Sequence, residues 1–460
     1  MKYLFCCLFA FLLFSSSLFS KESFPDIVKF SPHDIIVTKN VDESNEWKKE
    51  LIMQAKKTIE ISTIPGGVFF RSIVDLLMRS LKNNSELVVY LFLEQMPTFT
   101  SADNASLVAA KKAFPHRFHY LLKKAVPTIH ENTAYLTENH TKLLIVDEQY
   151  FVIGGTVMTE HLASDITAGG KSIFPFLPRG ALDMDIVGKG SAAQDLRLSF
   201  FQLYELLESG TSLDALRGPF HASLKDYTPV DDKDKAFVAS FENSPHRIAH
   251  VPLSAFISGP RMNYGAIGKV YKTLIDNAQK EIVIAHMFFF PADSIYDSLI
   301  QASNNHIPLT LITNGTAGYS TASTNLSFIV LNRYRYLPVT YGKKFKFIDY
   351  YFMDPNQFTT TKIYEMKRGD IMYHKKVMVT DGRYAITGSY NLGFKSEFGD
   401  FESVVIVDSE AASAAFLSVL ENDKRNSRLV TNREIIDWHF TPAYRASQAF
   451  SEFFLTTLVL

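Results

Sequence analysis

Residues 51–63 read LIMQAKKTIEIST: Leu51, Ile52 and Ala55 recur at helical spacing, and Ile59 and Ile61 then alternate as in a buried strand. Residues 274–286, LIDNAQKEIVIAH, repeat the pattern Leu-Ile-x-x-Ala-x-x-x-Ile-x-Ile. Each copy predicts a helix running into a strand, and each is followed by a second such pair. In the first half these are SIVDLLMRSLKN and ELVVYLFLE; in the second they are DSIYDSLIQASNN and PLTLITNG. Alternation of this kind predicts an α/β architecture with a mixed sheet. A recurrence so widely spaced is a duplicated domain, not a solenoid. The polar stretch at 210–258, with SGTS, VDDKDK and NSPHR, predicts the join, dividing the chain into halves at 21–245 and 246–460.

Composition narrows the class. Of the 460 residues, 47% are hydrophobic and 21% charged, which suits a globular protein with a sizeable core. Lys plus Arg total 47 against 48 for Asp plus Glu, so a general polyphosphate binder is disfavoured while a local pocket for one phosphate is not. The 38 phenylalanines exceed ordinary core needs and leave some for an apolar binding surface. Both cysteines, Cys6 and Cys7, lie in the opening MKYLFCCLFAFLLFSSSLFSK. Its Lys2, its apolar run and its serines have the layout of a signal peptide over 1–20, with cleavage near Ser17 or Ser20. An uncleaved anchor over Tyr3–Phe19 is the alternative. Either way the chain is expected to be exported: periplasmic, secreted or membrane-associated. After cleavage it would hold no cysteine for a disulfide, a thiolate nucleophile or a metal.

A second repeat carries the chemistry. Residues 140–147, HTKLLIVD, and 374–381, HKKVMVTD, both fit His-x-Lys-x-x-x-x-Asp. If each motif starts a strand, His140 and Lys142 share one face, as do His374 and Lys376. An imidazole beside an ammonium suits a phosphate: Lys neutralises oxygens while His attacks phosphorus or protonates a leaving group. Asp147 and Asp381 then fall in hairpin turns, Asp381-Gly382 being a strong turn pair. Gly154-Gly155-Thr156 and Gly388-Ser389 follow the return strands, where glycine lets backbone approach a ligand closely. A lysine on the same face repels a cation, so no metal or other cofactor is expected.

These motifs resemble the phospholipase D superfamily, whose bilobal members build one active site between two halves. HKKVMVTDGRYAITGSYNLGFKSEFGDFE, SGP at 258–260 and HMFFFP at 286–291 are similar to cardiolipin synthase-like members. The resemblance implies two homologous lobes, each a mixed sheet flanked by helices, related by a pseudo-twofold axis. It implies a phosphohistidine formed by one histidine, by family habit His140, while the other protonates the leaving alcohol. Lys142, Lys376 and Asn391 would hold the phosphate, with Ser389, Gly388, Gly155 and Thr156 around it. Glu402 would orient His374 and Asp183, from LDMDIVGKG, would orient His140. Asp147 and Asp381 complete the motif but look more structural than catalytic. Val157 stands where the second half has Asn391, so one phosphate-binding amide is missing.

The substrate expected from this reading is a phospholipid at a membrane surface, turned over by a monomer. Cleavage of nucleic acid by the same chemistry is the less favoured alternative, and a decayed binding protein the third. Phe288–Phe290 read either as an acyl-chain entrance or as a buried strand end. Residues 316–362 read as a basic and aromatic insertion that contacts head groups or bases, or as a surface hairpin. The C-terminal FSEFFLTTLVL reads as a segment docked on the core, with contact to a membrane the less favoured alternative.

Overall fold

The computed structural model describes residues 22–96, 99–130, 133–159, 180–209, 222–315, 333, 335–344, 357–367 and 372–440. The segment at 1–20 and the C-terminal FSEFFLTTLVL lie outside them.

The two halves build one sheet. Its strands are β1 (Ser31–Val37), β2 (Thr58–Thr63), β3 (Val88–Glu94), β4 (Phe118–Lys123), β5 (Leu143–Val146), β6 (Tyr150–Gly154), β7 (Asp185–Lys189) and β8 (Ile248–Ser258). They continue as β9 (Ile282–His286), β10 (Leu309–Thr313), β11 (Lys362–Met366), β12 (Lys376–Thr380), β13 (Tyr384–Gly388), β14 (Glu402–Asp408) and β15 (Ser427–Leu429). Their spatial order is β15-β11-β10-β9-β12-β13-β14-β8-β1-β7-β6-β5-β2-β3-β4. Reading outward from the central β1–β8 pair, the two sides are the same list: β7, β6, β5, β2, β3, β4 against β14, β13, β12, β9, β10, β11. The outer strands β2-β3-β4 and β9-β10-β11 run parallel and the rest antiparallel. The expected duplicated α/β fold with a mixed sheet is thus present, with β15 as an addition to one edge.

Helices fall where apolar spacing put them, and they cover both faces. Val41–Gln54 starts at Asn40, whose side chain accepts the Glu43 N–H at 2.9 Å, and buries Leu51 and Ile52. With Gly67–Asn83 it covers the first half on one face; Ala266–Asp276 and Asp293–Asn304 do the same for the second. On the other face Ala192–Ser209 and Glu410–Arg425 share a single core with both halves, bringing Phe200 and Phe416 into one cluster with Val251, Leu253 and Val405. The chain entering β1 adds a tie to the second half, where Lys29 N–H donates to Ser254 Oγ at 3.0 Å.

Two features correct the expectations. Phe289 and Phe290 are buried, so the strand-end reading holds for them. Within 316–362 the described residues 335–341 are helical rather than a hairpin, and Tyr336, Leu337 and Val339 pack in the second core.

The motif aspartates are turn anchors, not members of a catalytic group. Asp147 and Glu148 have φ of 52° each, and Asp381 and Gly382 have 56° and 64°, the double left-handed geometry of a tight hairpin. Asp147 accepts the backbone N–H of Lys56 at 2.8 Å, Lys57 at 2.7 Å and Thr58 at 2.7 Å. Asp381 accepts those of Gln279, Lys280 and Glu281 at 3.0, 2.7 and 3.2 Å. Each therefore locks the helix-to-strand corner at the end of its strand away from the histidine. Replacing Asp147 with Asn turns one of these acceptors into a donor facing a donor. Chemical denaturation is expected to show Asp147→Asn less stable by roughly 1–3 kcal/mol, with Asp381→Asn losing a similar amount.

Candidate active site

The histidines lie just before β5 and β12, where each motif segment pairs with the other half outside the main sheet. Asn139 bridges Phe401 in parallel, and His140 N–H donates to Phe401 O at 2.9 Å. In the mirror arrangement Ala181–Leu182 pairs in parallel with Met372–Tyr373, and His374 N–H donates to Leu182 O at 2.9 Å. The acids follow these partners directly. Glu402 comes after Phe401 and Asp183 after Leu182, and each lies two residues before the partner of a glycine, Val404 with Gly388 and Asp185 with Gly154.

This register crosses the acid–histidine pairs relative to expectation. His140 Nδ1 lies 2.9 Å from both Glu402 carboxylate oxygens, and His374 Nδ1 lies 2.6 Å from Asp183 Oδ2. Glu402 serves the first histidine and Asp183 the second, because each acid-bearing strand pairs with the motif segment of the other half. Glu402 also accepts the hydroxyl protons of Ser389 and Ser396, the latter at 2.5 Å. Ser389 Oγ in turn accepts the Ser403 N–H at 2.8 Å, so this hydroxyl steadies the acid and is not free for a substrate.

The glycines also act differently from expectation. A Cβ on Gly155 would stand 2.2 Å from Asp183 Oδ1, and one on Gly388 would stand 2.1 Å from Ser403 O. The close approach they permit is to the acid-bearing strands, not to a ligand. Thr156 is likewise committed: it hydrogen-bonds through its hydroxyl and amide to Asp185, which pairs with buried Lys48 at 2.9 Å.

Electrostatics define what the cleft lacks. Burial lowers His140 to about 4 despite the upward pull of Glu402, and it holds His374 well below the ordinary imidazole value. Both rings are therefore neutral near pH 7, and His374 Nδ1 also lies 2.9 Å from Lys376 Nζ. Burial also lowers Lys142 to about 8 and Lys376 to about 7. Lys142 Nζ donates to His140 O at 2.8 Å and Lys376 Nζ to His374 O at 2.6 Å. Neither ammonium has a carboxylate within salt-bridge distance among the described residues. Each lysine's charge also acts on the other half's histidine, so the four basic groups face one another. Asn391 has a buried amide oxygen without a partner, and Val157, at the matching position of the first half, is buried and apolar. A tetrahedral oxyanion supplies what this arrangement needs: negative charge for two ammoniums and oxygens for their N–H groups.

His140, Asp400 and Glu402 place donor atoms within 4.8 Å of one another, a spacing that a metal ion could occupy. These donors are already engaged, however. Glu402 takes His140, and Asp400 takes Lys395 at 3.2 Å and the Glu138 N–H at 3.0 Å. The ammoniums of Lys142 and Lys395 balance the local charge.

Sequence reasoning missed Ser396, Lys395, Asp400 and Glu94. Glu94 Oε2 accepts the N–H of Asn139, the residue before His140, at 2.9 Å; Asn314 Oδ1 does the same for Tyr373 at 2.9 Å. The only signal for Glu94 and Asn314 was their position at the ends of β3 and β10, and Ser396, Lys395 and Asp400 carried none.

Residues 271–424 match the family described as cardiolipin synthase, PLD-like domain. Phosphatidylserine synthase of Haemophilus influenzae Rd KW20 shares the fold with a TM-score of 0.62 at 13% identity, over 93% of this chain and 95% of that one. Polyphosphate kinase of Porphyromonas gingivalis is similar at a TM-score of 0.50 and 10% identity, over 92% of this chain and 53% of the other. An uncharacterized protein of Helicobacter pylori strain J99 is 22% identical over 324 residues, 66% of this chain. The chain spans 60% of that relative's length. The family match thus covers residues 271–424, while the fold is shared with the phosphatidylserine synthase over nearly the whole chain.

Two measurements follow. An anion bound by Lys142 and Lys376 raises their pKa values, so binding takes up protons wherever the free lysines are neutral. Calorimetric affinity for sulfate, whose own charge is constant, is expected to fall by at least about tenfold between pH 6 and pH 9. Burial pushes Glu94 up to about 8, so the folded protein holds a proton that the unfolded chain loses near about 4.3. Stability from this group is thus lost as pH rises across that window. Glu94→Gln, which copies the amide at Asn314, is expected to show a smaller fall in Tm than the parent protein between pH 5 and pH 8.

Proposed function

We propose that this protein is a phospholipase D-type phosphodiesterase or phosphatidyltransferase acting on phospholipids, exported and working at a membrane surface. The supporting observation is the crossed pair His140–Glu402 and His374–Asp183 around two buried lysines that lack carboxylate partners.

A neutral imidazole whose Nδ1–H is held by a carboxylate presents its Nε2 lone pair to phosphorus, and the carboxylate stabilises the positive ring as the bond forms. One histidine would attack and carry the phosphoryl group. The other would protonate the departing alcohol and then remove a proton from water or an acceptor alcohol. Lys142, Lys376 and Asn391 would hold the phosphoryl oxygens, whose charge grows in the transition state. The fold shared with a phosphatidylserine synthase, the match to a cardiolipin synthase-like domain and the balanced net charge support a lipid substrate over nucleic acid.

The test incubates purified full-length protein, with chelator, with phospholipid vesicles and a primary alcohol, and in parallel with single-stranded DNA. Phosphatidyl-alcohol should form, and His140→Ala and His374→Ala should each lower its rate by roughly a thousandfold or more. DNA cleavage without lipid turnover would sink the lipid reading. Loss of activity with chelator would contradict metal-free chemistry, and inactivity toward both substrates would point to a binding protein.

A further inference from the structure

The pseudo-twofold axis relates the catalytic groups, but it does not relate their neighbours. Side chains two apart on paired extended segments share a face. Glu138 and Asp400 therefore flank His140 and Glu402 on one side, and Met372 and Ala181 flank His374 and Asp183 on the other. Positions that match by symmetry thus differ in kind. On the His140 side Lys395 lies 2.7 Å from Glu138 and 3.2 Å from Asp400, and Glu138 and Lys395 keep some exposure at 13% and 15%. On the His374 side Ala181 is buried and Met372 is half-buried, with no charge at either position.

A second asymmetry lies behind the first. Asn314 uses all of its polar atoms: Oδ1 accepts from Tyr373, and Nδ2 donates to Met287 O at 3.0 Å and Tyr373 O at 2.9 Å. Its counterpart Glu94 is 1% exposed and uses only Oε2; Oε1 is buried without a partner, beside the charges of Glu138, Asp400 and Lys395. This flank is thus polar: Lys395 pairs with Glu138 and Asp400, and burial holds Glu94 and Asp400 above the usual carboxylate range. Among the described residues, Ala181 and Met372 offer a donor no side-chain partner on the opposite flank.

We propose that the cleft orients its phosphodiester, with an ammonium-bearing alcohol over Glu138, Lys395 and Asp400 and the apolar arm over Ala181 and Met372, so that His140 is the acid for the leaving alcohol and His374 the nucleophile. This rests on the phospholipase D-type reading and reverses the family-based expectation for His140. His374 Nε2 forms the bond to phosphorus as the phosphorus–oxygen bond to the alcohol breaks opposite it. That oxygen takes the proton from Nε2 of His140, which is neutral in the free site and takes up a proton when the phosphate anion binds beside it. Water or an acceptor alcohol then returns a proton to His140 and attacks phosphorus, and the phosphorus–nitrogen bond breaks. The partners agree with these roles. His140 and the surrounding hydrogen bonds hold Glu402 below the usual carboxylate value against its burial, which backs an imidazolium; burial lifts Asp183 to about 7, which favours a neutral His374.

The experiment has two arms. Vesicles carrying phosphatidylethanolamine and phosphatidylmethanol with identical acyl chains are offered together to the full-length protein. The ethanolamine lipid should be preferred by about tenfold or more, and Glu138→Gln should bring the ratio toward one, a readout independent of how much protein is folded. Turnover of neither lipid refutes the phospholipase reading; turnover with no preference, or a preference unchanged in Glu138→Gln, refutes the orientation alone. In the second arm a p-nitrophenyl phosphodiester, whose leaving group needs no proton, is mixed with each histidine variant. His140→Ala should release a burst of p-nitrophenolate matching the enzyme and leave an acid-labile phosphoryl group on His374, while His374→Ala gives neither. The opposite result overturns the assignment.

Discussion

Each histidine depends on a carboxylate that the other half of the chain supplies. Neither acid could be brought there by its own lobe, because the strand carrying it runs past the centre to pair with the opposite motif segment. His140 N–H on Phe401 O and His374 N–H on Leu182 O, both at 2.9 Å, fix the register that places Glu402 and Asp183 behind the rings. Everything nearby serves that crossing. Gly155 and Gly388 clear space for the acid-bearing strands, and Ser389, Ser396 and Ser403 saturate Glu402 and its neighbours. Asp147 and Asp381 hold the far ends of the motif strands steady.

The site is held in an unfavourable charge state by its own burial. Two imidazoles and two ammoniums face one another in a region with little water, and desolvation drives all four toward neutrality. The carboxylates of Glu402 and Asp183, close behind the rings, offset part of that cost. The same desolvation keeps the histidines unprotonated and leaves the lysines short of negative charge, which is the condition an anionic substrate relieves. Symmetry stops at the first neighbours, where Glu138 and Asp400 oppose Met372 and Ala181.

Much of this was visible along the chain. The repeated Leu-Ile-x-x-Ala pattern announced two lobes because burial imposes periodicity on helices and strands alike. His140, Lys142, His374 and Lys376 stood out because close chemistry within one strand leaves a fixed local spacing. The crossing of the acids did not, since pairing Asn139 with Phe401 is a tertiary choice with no local signature. The glycines were legible as close approaches but not as to what approached them. Lys395 and Asp400 belong to no spacing rule at all, and Glu94 matters only because β3 ends beside Asn139.

The unbroken sheet carries a mechanical consequence. In many two-lobed proteins a flexible linker lets the lobes swing apart to admit a ligand. Here β1 and β8 are joined through Ser31, Pro32, His33 and Ile35, and the core formed by Ala192–Ser209 and Glu410–Arg425 spans both halves. Any hinge at the cleft would have to tear backbone pairing and split that core at once. The continuous pairing thus fixes the spacing between His140 and His374 as firmly as the core itself.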